Sequence, residues 1–431
     1  MNTRKLFLLL GMTAASAMMQ AQSYQIPVLE TDEPMQTGPF SPTWESLRTY
    51  EVPDWFRDAK FGIWAHWGPQ CVEGSGDWMA RELYMEGNGK YNYHRDHYGH
   101  PSQVGFKDIL PLFRAEHWTP EELVRFYKEE VGTQYFFALG NHHDNFDLWD
   151  SKYQEWNSVA IGPHRDILGE WSAAAKKAGL PFGISFHADH AWIWYEPSRR
   201  FDLHGPLRGV KYDGWLTKAD GYKLNADGSV KWWRGLDPQK LYAQDHDFSN
   251  DTWNNGAIHN QWGWGGGANL PSQEYITNFY NRTLDAINRY NPDLIYFDVT
   301  VLPFYPVSDA GMKIATHMYN HSAALHGGKN QAVCLARYSK KTRKTHSCGM
   351  WNVEHQTRLW SVRGKVATAS ATGTTTHRFT SAAATKVPPL SPNCSSISCR
   401  KTATCCLVYR CGPTELPTRK NSQYSMSLVH G

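Results

Sequence analysis

Several features that assign proteins to common functional classes are missing from this chain of 431 residues. After residue 21, no stretch is apolar for long enough to cross a bilayer, which argues against a membrane partner. No Gly-rich loop of the phosphate-binding kind opens a helix, which argues against nucleotide binding. Six of the eight cysteines lie beyond residue 347. Cysteine spacing therefore gives information about only the last part of the chain.

An excess of basic residues is also absent from most of the chain, although the net charge is +3. Residues 355–431 carry ten Lys and Arg against one acid, Glu415. The first 354 residues carry 34 bases and 40 acids, which is a net charge of −6. Nucleic-acid binding is therefore not supported by the larger part of the chain.

The first 21 residues have the pattern of a cleaved signal peptide. Arg4 and Lys5 precede a short apolar run that begins at Leu6, and small residues follow before Ala21. The apolar run is too short for a membrane span, so we expect cleavage rather than anchoring. This pattern predicts an exported protein, either periplasmic or extracellular.

Aromatic residues are abundant, with 19 Trp and 22 Tyr. Flat sugar faces stack on aromatic rings while sugar hydroxyls need polar partners, so this excess beside many Asp, Asn and His is typical of a sugar-binding cleft. A Trp-rich core explains the same composition equally well.

Apolar runs of strand length recur along the chain, and most of them end on a polar residue. The runs cover 61–65, 135–139, 181–186, 294–297, 331–336 and 350–353. The polar residues that follow them are His66, His142 and His143, His187, Asp298 and Glu354. A single Asp after a strand more often caps a helix or closes a turn, and the repetition of polar ends is what favours a catalytic role for Asp298.

Helical patterns separate these runs. Thr119 and Glu122 form the pattern of a capping box, a second helix is expected from about Asp166 to Ala178, and a third begins at Ser272. Residues 205–270 show no clean period, and we interpret them as an elaborated loop over a cleft.

The alternation of strand, polar end and helix predicts an α/β fold with parallel strands. The most economical architecture is a (β/α)8 TIM-like barrel, because its strands bring all their C-terminal ends to one face. A doubly wound open sheet is the alternative. Residues 22–354 would contain most of the barrel, which would be incomplete at its C-terminal end.

Five motifs, in their order along the chain, resemble the α-L-fucosidases of glycoside hydrolase family 29. They are Phe61-Gly62 with His66-Trp67-Gly68, His142-His143-Asp144, Trp156-Asn157, Arg165-Asp166-Ile167 and Tyr296-Phe297-Asp298. The resemblance covers the chain from about residue 40 to about residue 354. It implies a retaining hydrolase that releases α-L-fucose from a fucosylated oligosaccharide or a glycoprotein glycan, without a cofactor.

The resemblance also implies roles for individual residues. Asp298 would be the nucleophile, and Glu354 would be the acid/base. The fucose pocket would be lined by His66, Trp78, His142 and His143, with Asp77 where the family usually has Glu before the Trp. The shorter Asp77 side chain would reduce the reach of that hydrogen bond to the sugar. The loop from 213 to 238 resembles the branch that cleaves α-1,3- and α-1,4-linked fucose.

Two other functions remain open for these residues. Zinc hydrolases place helical histidines at i and i+4 around a Glu, or combine Cys and His at fixed spacing. Adjacent His142 and His143 at a strand end fit neither pattern, so we expect no metal. A barrel that binds fucose without cleaving it is the second alternative, and the C-terminal part gives it a basis.

From about residue 355 the composition changes, since Ser, Thr and small residues replace the aromatics and no Trp follows Trp360. A disordered linker has this composition. A frameshift is a second explanation of this composition. When residues 367–377 are back-translated and two nucleotides are dropped, the shifted frame permits Cys-Ile-Gly-Asp-Trp-His-Tyr-Asn. This sequence resembles a fucosidase segment. The same frame over 385–410 permits a second such segment. We therefore expect residues 355–431 to be a frameshifted, disordered tail.

The first prediction is that the chain as written is unstable and inactive. A barrel closes only when its last strands pair with its first, so loss of the elements after Glu354 exposes a sheet edge and the core. Circular dichroism should show no cooperative melting, and an aryl α-L-fucoside should not be hydrolysed, whereas a frame-restored chain should do both. Cooperative melting with fucose release by the chain as written would contradict the frameshift interpretation. Sequencing the gene and transcript across codons 354–370 provides an independent check.

Overall fold

The computed structural model describes residues 24–336, except 32, 75, 251–263, 265–266 and 300, together with the backbone of two later strands. The strands form one sheet with the order β5-β4-β3-β2-β1-β6-β7. They are β1 (Phe61–Ala65), β2 (Tyr135–Asn141), β3 (Phe182–Phe186), β4 (Leu294–Phe297), β5 (Val333–Ala336), β6 (Cys405–Arg410) and β7 (Ser425–Val429).

Two helices precede β1, and the other described helices lie between the strands along the chain. The α-helices are α1 (Trp44–Leu47), α2 (Asp54–Ala59), α3 (Met79–Glu82), α4 (Gly89–His97), α5 (Phe106–Ile109), α6 (Pro120–Phe126), α7 (Ile167–Lys177), α8 (Ala191–Trp194), α9 (Pro238–Tyr242), α10 (Gln273–Tyr290) and α11 (Ala310–Leu325). Among the described residues, no helix is both long enough and apolar enough to span a membrane.

Strands β1 to β5 are parallel to one another, as the sequence predicted. Ile63 lies beside Phe136, Ala138 beside Ile184, and Ile184 beside Ile295. Every residue of β2 and β3 is buried. Near-continuous apolar runs are needed for such strands because both faces of the sheet are covered. The structure thus shows an α/β arrangement with five parallel strands.

The sequence also predicted where the main helices begin. Asp166 caps α7 by accepting a hydrogen bond from the backbone nitrogen of Gly169 at 2.8 Å, and Ser272 caps α10 in the same way. Thr119 precedes α6, but its hydroxyl donates to the Glu122 carboxylate at 3.0 Å rather than capping the backbone. The predicted capping box is therefore wrong, because the charged acceptor binds the hydroxyl.

Two stretches of the expected disordered tail are strands in the structure. Strand β6 pairs with β1 in parallel, and β7 pairs with β6 in antiparallel fashion. An unpaired strand edge offers backbone donors and acceptors to any extended segment, whatever its side chains. Composition alone does not reveal such pairing. The strand predicted at 350–353 lies outside the described residues.

The two faces of the sheet pack into separate hydrophobic clusters. The larger cluster contains Ile63, Phe136 and Ile184 together with the helices. The smaller one contains Trp64, Tyr135 and Phe137 with residues of α2, β4 and β5. Alternate residues of a strand point to opposite faces, which separates the two sets. Several tryptophans of the aromatic excess belong to the larger cluster, namely Trp149, Trp156, Trp171 and Trp194.

Two strand glycines make room for aromatic rings of the smaller cluster. Gly62 is paired with Tyr135, and a Cβ on Gly62 would lie 2.1 Å from the Tyr135 ring. Gly183 is paired with Phe137, and its Cβ would lie 2.4 Å from that ring. These rings therefore occupy the space where a side chain would otherwise stand.

We expect Gly62→Ala to lower the free energy of unfolding by about 1–3 kcal/mol, because the added methyl group overpacks the site. Chemical denaturation of the full chain, or of a frame-restored form if the chain as written does not unfold cooperatively, measures the change. Gly89→Ala is the matched control, since a Cβ at this helical position would have no atom within 4 Å apart from its chain neighbours and the backbone of its own helix. The control should be neutral or stabilising. Equal stability of the two variants would show that the Tyr135 ring moves aside freely.

Candidate active site

Polar residues follow four neighbouring parallel strands. His66 follows β1, His142 and His143 follow β2, His187 follows β3, and Asp298 follows β4. The C-terminal ends of adjacent parallel strands lie at one edge of the sheet. The structure therefore brings together four of the residues predicted for the site, His66, His142, His143 and Asp298.

The four histidine rings form a compact imidazole cluster. The ring centroids of His66 and His142 are 5.0 Å apart, and that of His187 lies 5.2–5.4 Å from the other three. All four side chains are buried. The described residues supply no hydrogen-bond partner for either ring nitrogen of His66, for Nδ1 of His142 or for Nδ1 of His187. Buried polar atoms are normally paired, so this cluster is suited to a ligand rich in hydroxyl groups.

The Asp298 carboxylate lies against this imidazole cluster. Its Oδ2 is 3.4 Å from Nε2 of His143 and 3.9 Å from Nδ1 of His187. The hydroxyl of Tyr296, which lies two residues earlier in β4, donates to Oδ1 at 2.9 Å. One carboxylate oxygen is thus held by Tyr296, while the other faces the imidazoles.

A backbone contact determines which nitrogen of His143 carries hydrogen. Nδ1 lies 2.7 Å from the carbonyl oxygen of His187. A carbonyl oxygen only accepts hydrogen bonds, so Nδ1 is the protonated nitrogen. In the neutral ring Nε2 is then an acceptor on the Asp298 side. A sugar hydroxyl placed there would donate to it.

Burial keeps two of the imidazoles neutral. It lowers the pKa of His142 well below its usual value, and the neighbouring His143, His66 and His187 lower this pKa further. Burial also lowers the pKa of His187 well below its usual value, against the opposing effect of Asp298. Neutral imidazoles can both donate and accept hydrogen bonds, which suits sugar hydroxyls.

The structure places Asp77 beside the imidazole cluster. Its Oδ2 lies 3.6 Å from Nε2 of His66, and its side chain is 27% exposed. Trp78 follows it as the N-cap residue of α3 and is only partly buried. Asp77 therefore extends the polar surface from His66 toward solvent. The binding roles predicted for Asp77 and Trp78 stay predictions.

The same histidines include the groups that are able to hold a metal ion. His142, His143 and His187 each have one ligand atom within 4.8 Å of the others, and His66, Asp77 and His142 form a second such group. Imidazole suits zinc, copper, nickel and iron. Geometry therefore leaves metal binding as a hypothesis for experiment to test.

Three residues beside the site were missing from the predicted pocket. His187 has the same sequence signal as the others, because it directly follows a buried strand. Trp194 lies 5.6 Å from His143 and 6.0 Å from His142 between ring centroids. Trp194 belongs to the short helix α8, and Tyr296 lies inside a strand, so neither has a distinct pattern.

Some of the predicted site stays untested. Glu354 lies outside the described residues, so its role as the acid/base stays a prediction. The predicted cleft loop, 205–270, is described except at 251–263 and 265–266. In it Trp233 is buried, whereas Trp232 is exposed and donates to Oδ1 of Asp108 at 2.9 Å. The linkage preference expected from this loop stays a prediction.

The third prediction concerns pH and His187. Its pKa is lower in the folded chain than the value of about 6.5 in an unfolded chain, so the unfolded chain takes up a proton first as the pH falls. This group therefore contributes stability above pH 6.5 that is lost on acidification. The difference in unfolding free energy between the parent and His187→Gln should shrink as the pH falls from about 7 to about 5.

Chemical denaturation at each pH measures this difference, in the full chain or, if the chain as written does not unfold cooperatively, in a frame-restored form. His97→Gln, at an exposed position in α4, is the control for the substitution itself. A parent–variant difference that stays constant or grows on acidification at position 187 would contradict the prediction.

The sequence of this chain is similar to the sequences of known proteins. Residues 28–381 match the family model described as alpha-L-fucosidase. Tissue alpha-L-fucosidase of Homo sapiens is 33% identical over 188 residues, which is 43% of this chain and 39% of that protein. Plasma alpha-L-fucosidase of Homo sapiens is 34% identical over 199 residues, which is 45% of this chain and 41% of that protein. These matches span about two fifths of the length of the curated relatives.

Among solved structures, the chain is similar to the crystal structure of Thermotoga maritima alpha-fucosidase. The TM-score is 0.46 at 24% identity, with 70% of this chain and 56% of that chain covered. The match to the family model extends over most of the present sequence. The chain therefore belongs to the alpha-L-fucosidase family.

Proposed function

We propose that this protein is a glycoside hydrolase that releases α-L-fucose from a fucosylated oligosaccharide or a glycoprotein glycan. The observation that carries the proposal is the set of buried imidazole nitrogens that lack hydrogen-bond partners among the described residues, arranged around the Asp298 carboxylate. A sugar supplies several hydroxyl groups on one rigid ring, which matches this arrangement. Membership of the family indicates which sugar it is.

The proposed reaction is a retaining double displacement. An oxygen of Asp298 forms a bond to the anomeric carbon as the bond to the leaving oxygen breaks, and Glu354 gives that oxygen its proton. Water then attacks the covalent fucosyl-enzyme, transfers a proton back to Glu354 and restores the Asp298 carboxylate. The hydrogen bond from Tyr296 to Oδ1 orients the carboxylate so that Oδ2 faces the imidazole cluster.

The other site residues would bind the sugar. His142 and His187 remain neutral because burial lowers their pKa values, so they add no positive charge that would compete with an oxocarbenium-like transition state. Trp78, which is only partly buried, would offer a flat apolar surface to the methyl group and ring face of a 6-deoxy sugar. Asp77 would accept a hydrogen bond from a hydroxyl near His66. No cofactor is part of this proposal.

The remaining expectations complete the proposal. The five parallel strands would be the first part of a (β/α)8 barrel that later elements close. The loop with Trp232 would select α-1,3- and α-1,4-linked fucose. The signal-peptide pattern of residues 1–21 would direct the protein to the periplasm or outside the cell.

The fourth prediction tests the nucleophile. Asp298→Asn should lower kcat for an aryl α-L-fucoside by several orders of magnitude, because the amide cannot replace a covalent nucleophile. Asp293→Asn is the matched control at the opposite end of β4, where the carboxylate accepts a hydrogen bond from the backbone nitrogen of Phe182 at 2.9 Å. This control should affect stability more than turnover. Near-normal turnover by Asp298→Asn would refute the assignment.

The same preparation separates the two other hypotheses. If the frame-restored protein binds fucose in calorimetry and hydrolyses no fucoside, it is a binding protein rather than an enzyme. If a chelator abolishes hydrolysis and zinc restores it, the histidines bind a metal. Hydrolysis with retained anomeric configuration that is insensitive to the chelator would support the proposal.

A further inference from the structure

A bulge in β2 directs Asn141 toward the end of β3. Leu139 pairs with Ser185 while Asn141 pairs with Phe186, so two steps along β2 match one step along β3. The extra residue is Gly140, where a Cβ would lie 2.9 Å from the nearest side-chain atom of β3. Bulges of this kind change the direction of a side chain and are frequent beside active sites.

The hydrogen bonds of Asn141 define the orientation of its amide. Its Oδ1 accepts from the backbone nitrogens of His187 and Ala188, both at 3.1 Å. Its Nδ2 donates to Oδ1 of Asp147 at 2.9 Å. The oxygen faces two donors and the nitrogen faces a carboxylate, so the flipped amide would lose all three bonds. Asn141 is 1% exposed, and water does not replace these partners at its surface.

One peptide group connects Asn141 with the imidazole cluster. The N–H of Ala188 and the C=O of His187 belong to the same peptide group. Oδ1 of Asn141 accepts a hydrogen bond from this N–H, and Nδ1 of His143 donates to this C=O at 2.7 Å. Hydrogen bonds in such a series strengthen one another. The orientation of this peptide group therefore affects how His143 directs Nε2 toward Asp298, 3.4 Å away.

A buried ion pair holds the other side of the Asn141 amide. Nε of Arg282 donates to Oδ2 of Asp147 at 2.9 Å, and both side chains are almost fully buried. Arg282 lies in α10, the helix that precedes β4. The Asp147 carboxylate is thereby kept in place to receive the Asn141 amide. The ends of β2 and β3 are thus linked to helix α10 through Asn141 and this ion pair.

We propose that Asn141 is a positioning residue for the reaction. Its amide fixes the peptide group between His187 and Ala188 and so sets the direction of His143 toward Asp298. The kinetic part of this inference rests on the proposed function. The structural part rests on the hydrogen bonds alone.

The kinetic test compares two substitutions at position 141 in whichever of the full chain and its frame-restored form hydrolyses an aryl α-L-fucoside. Asn141→Ala should lower kcat/KM for an aryl α-L-fucoside by about 10- to 100-fold, because small displacements of a reacting group are costly. Asn141→Asp keeps the shape but places a second carboxyl group beside Asp147. Two adjacent buried carboxyls cannot both ionise readily, so one keeps its proton above the usual pKa of an Asp.

The protonated form of Asn141→Asp can reproduce the lost amide donor. Its hydroxyl would donate to Asp147, whose charge is balanced by Arg282, while its other oxygen accepts from the backbone of His187 and Ala188. Activity should therefore be nearest to that of the parent at low pH and fall as the pH rises and this proton is lost. The parent should lack this additional alkaline decline.

Asn157→Asp is the matched control. Oδ1 of Asn157 also accepts from two backbone nitrogens, those of Val159 and Ala160 at 3.0 Å, but its Nδ2 donates to the carbonyl oxygen of Gln154 rather than to a carboxylate. Its pH–rate profile should have the shape of the parent profile. The inference is overturned if Asn141→Asp also follows the parent profile, or if Asn157→Asp shows the same additional decline.

A spectroscopic measurement tests the positioning without relying on activity. Nitrogen-15 NMR of the imidazoles should show His143 of the parent with hydrogen fixed on Nδ1, and Asn141→Ala should show a mixture of tautomers. An unchanged tautomer in a folded Asn141→Ala variant would overturn the inference. If the parent hydrolyses no fucoside but the tautomer changes, the proposed function fails while the positioning role stands.

Discussion

Parallel pairing of β1 to β5 is the constraint on which the rest of the structure depends. The residues that directly follow these strands lie at the same edge of the sheet. Polar residues that are spread over more than 200 positions of the sequence are therefore brought close together. Main-chain hydrogen bonds enforce this geometry, and they do not depend on the identity of the residues at the strand ends. The ends are therefore able to carry histidines and a carboxylate that would be unfavourable inside the sheet.

Polar contacts then fix the orientations of the side chains that the sheet brings together. The ion pair between Asp147 and Arg282 is buried, and burial raises the pKa of Asp147 while the neighbouring Arg282 lowers it. Buried ion pairs contribute little net stability because desolvation opposes the attraction between the charges. In this protein the ion pair instead fixes the orientation of the Asn141 amide and the position of the loop after β2. Rigid support of this kind is what a site needs to keep its reacting groups aligned.

The sequence predicted the parts of the fold and site that depend on local patterns. Strands β1 and β4 have the predicted bounds, and the polar residues after them lie together as expected. The sequence did not predict that β2 continues to Asn141, because a bulge leaves no mark on hydrophobic periodicity. It did not reveal Trp194 or Tyr296 beside the site, since their neighbours are set by tertiary packing. Closure of a barrel depends on pairing between distant strands, which no local pattern encodes.

The long connection between β3 and β4 also affects how the chain is made. The hydrogen bond between Phe182 and Asp293 joins residues 111 positions apart. At about 5–20 residues per second, a ribosome needs roughly 5–20 seconds to deliver β4 after β3 has emerged. During that interval one edge of β3 has no partner and is open to strands of other chains. The long connection between β3 and β4 thus lengthens the period in which the nascent protein can aggregate.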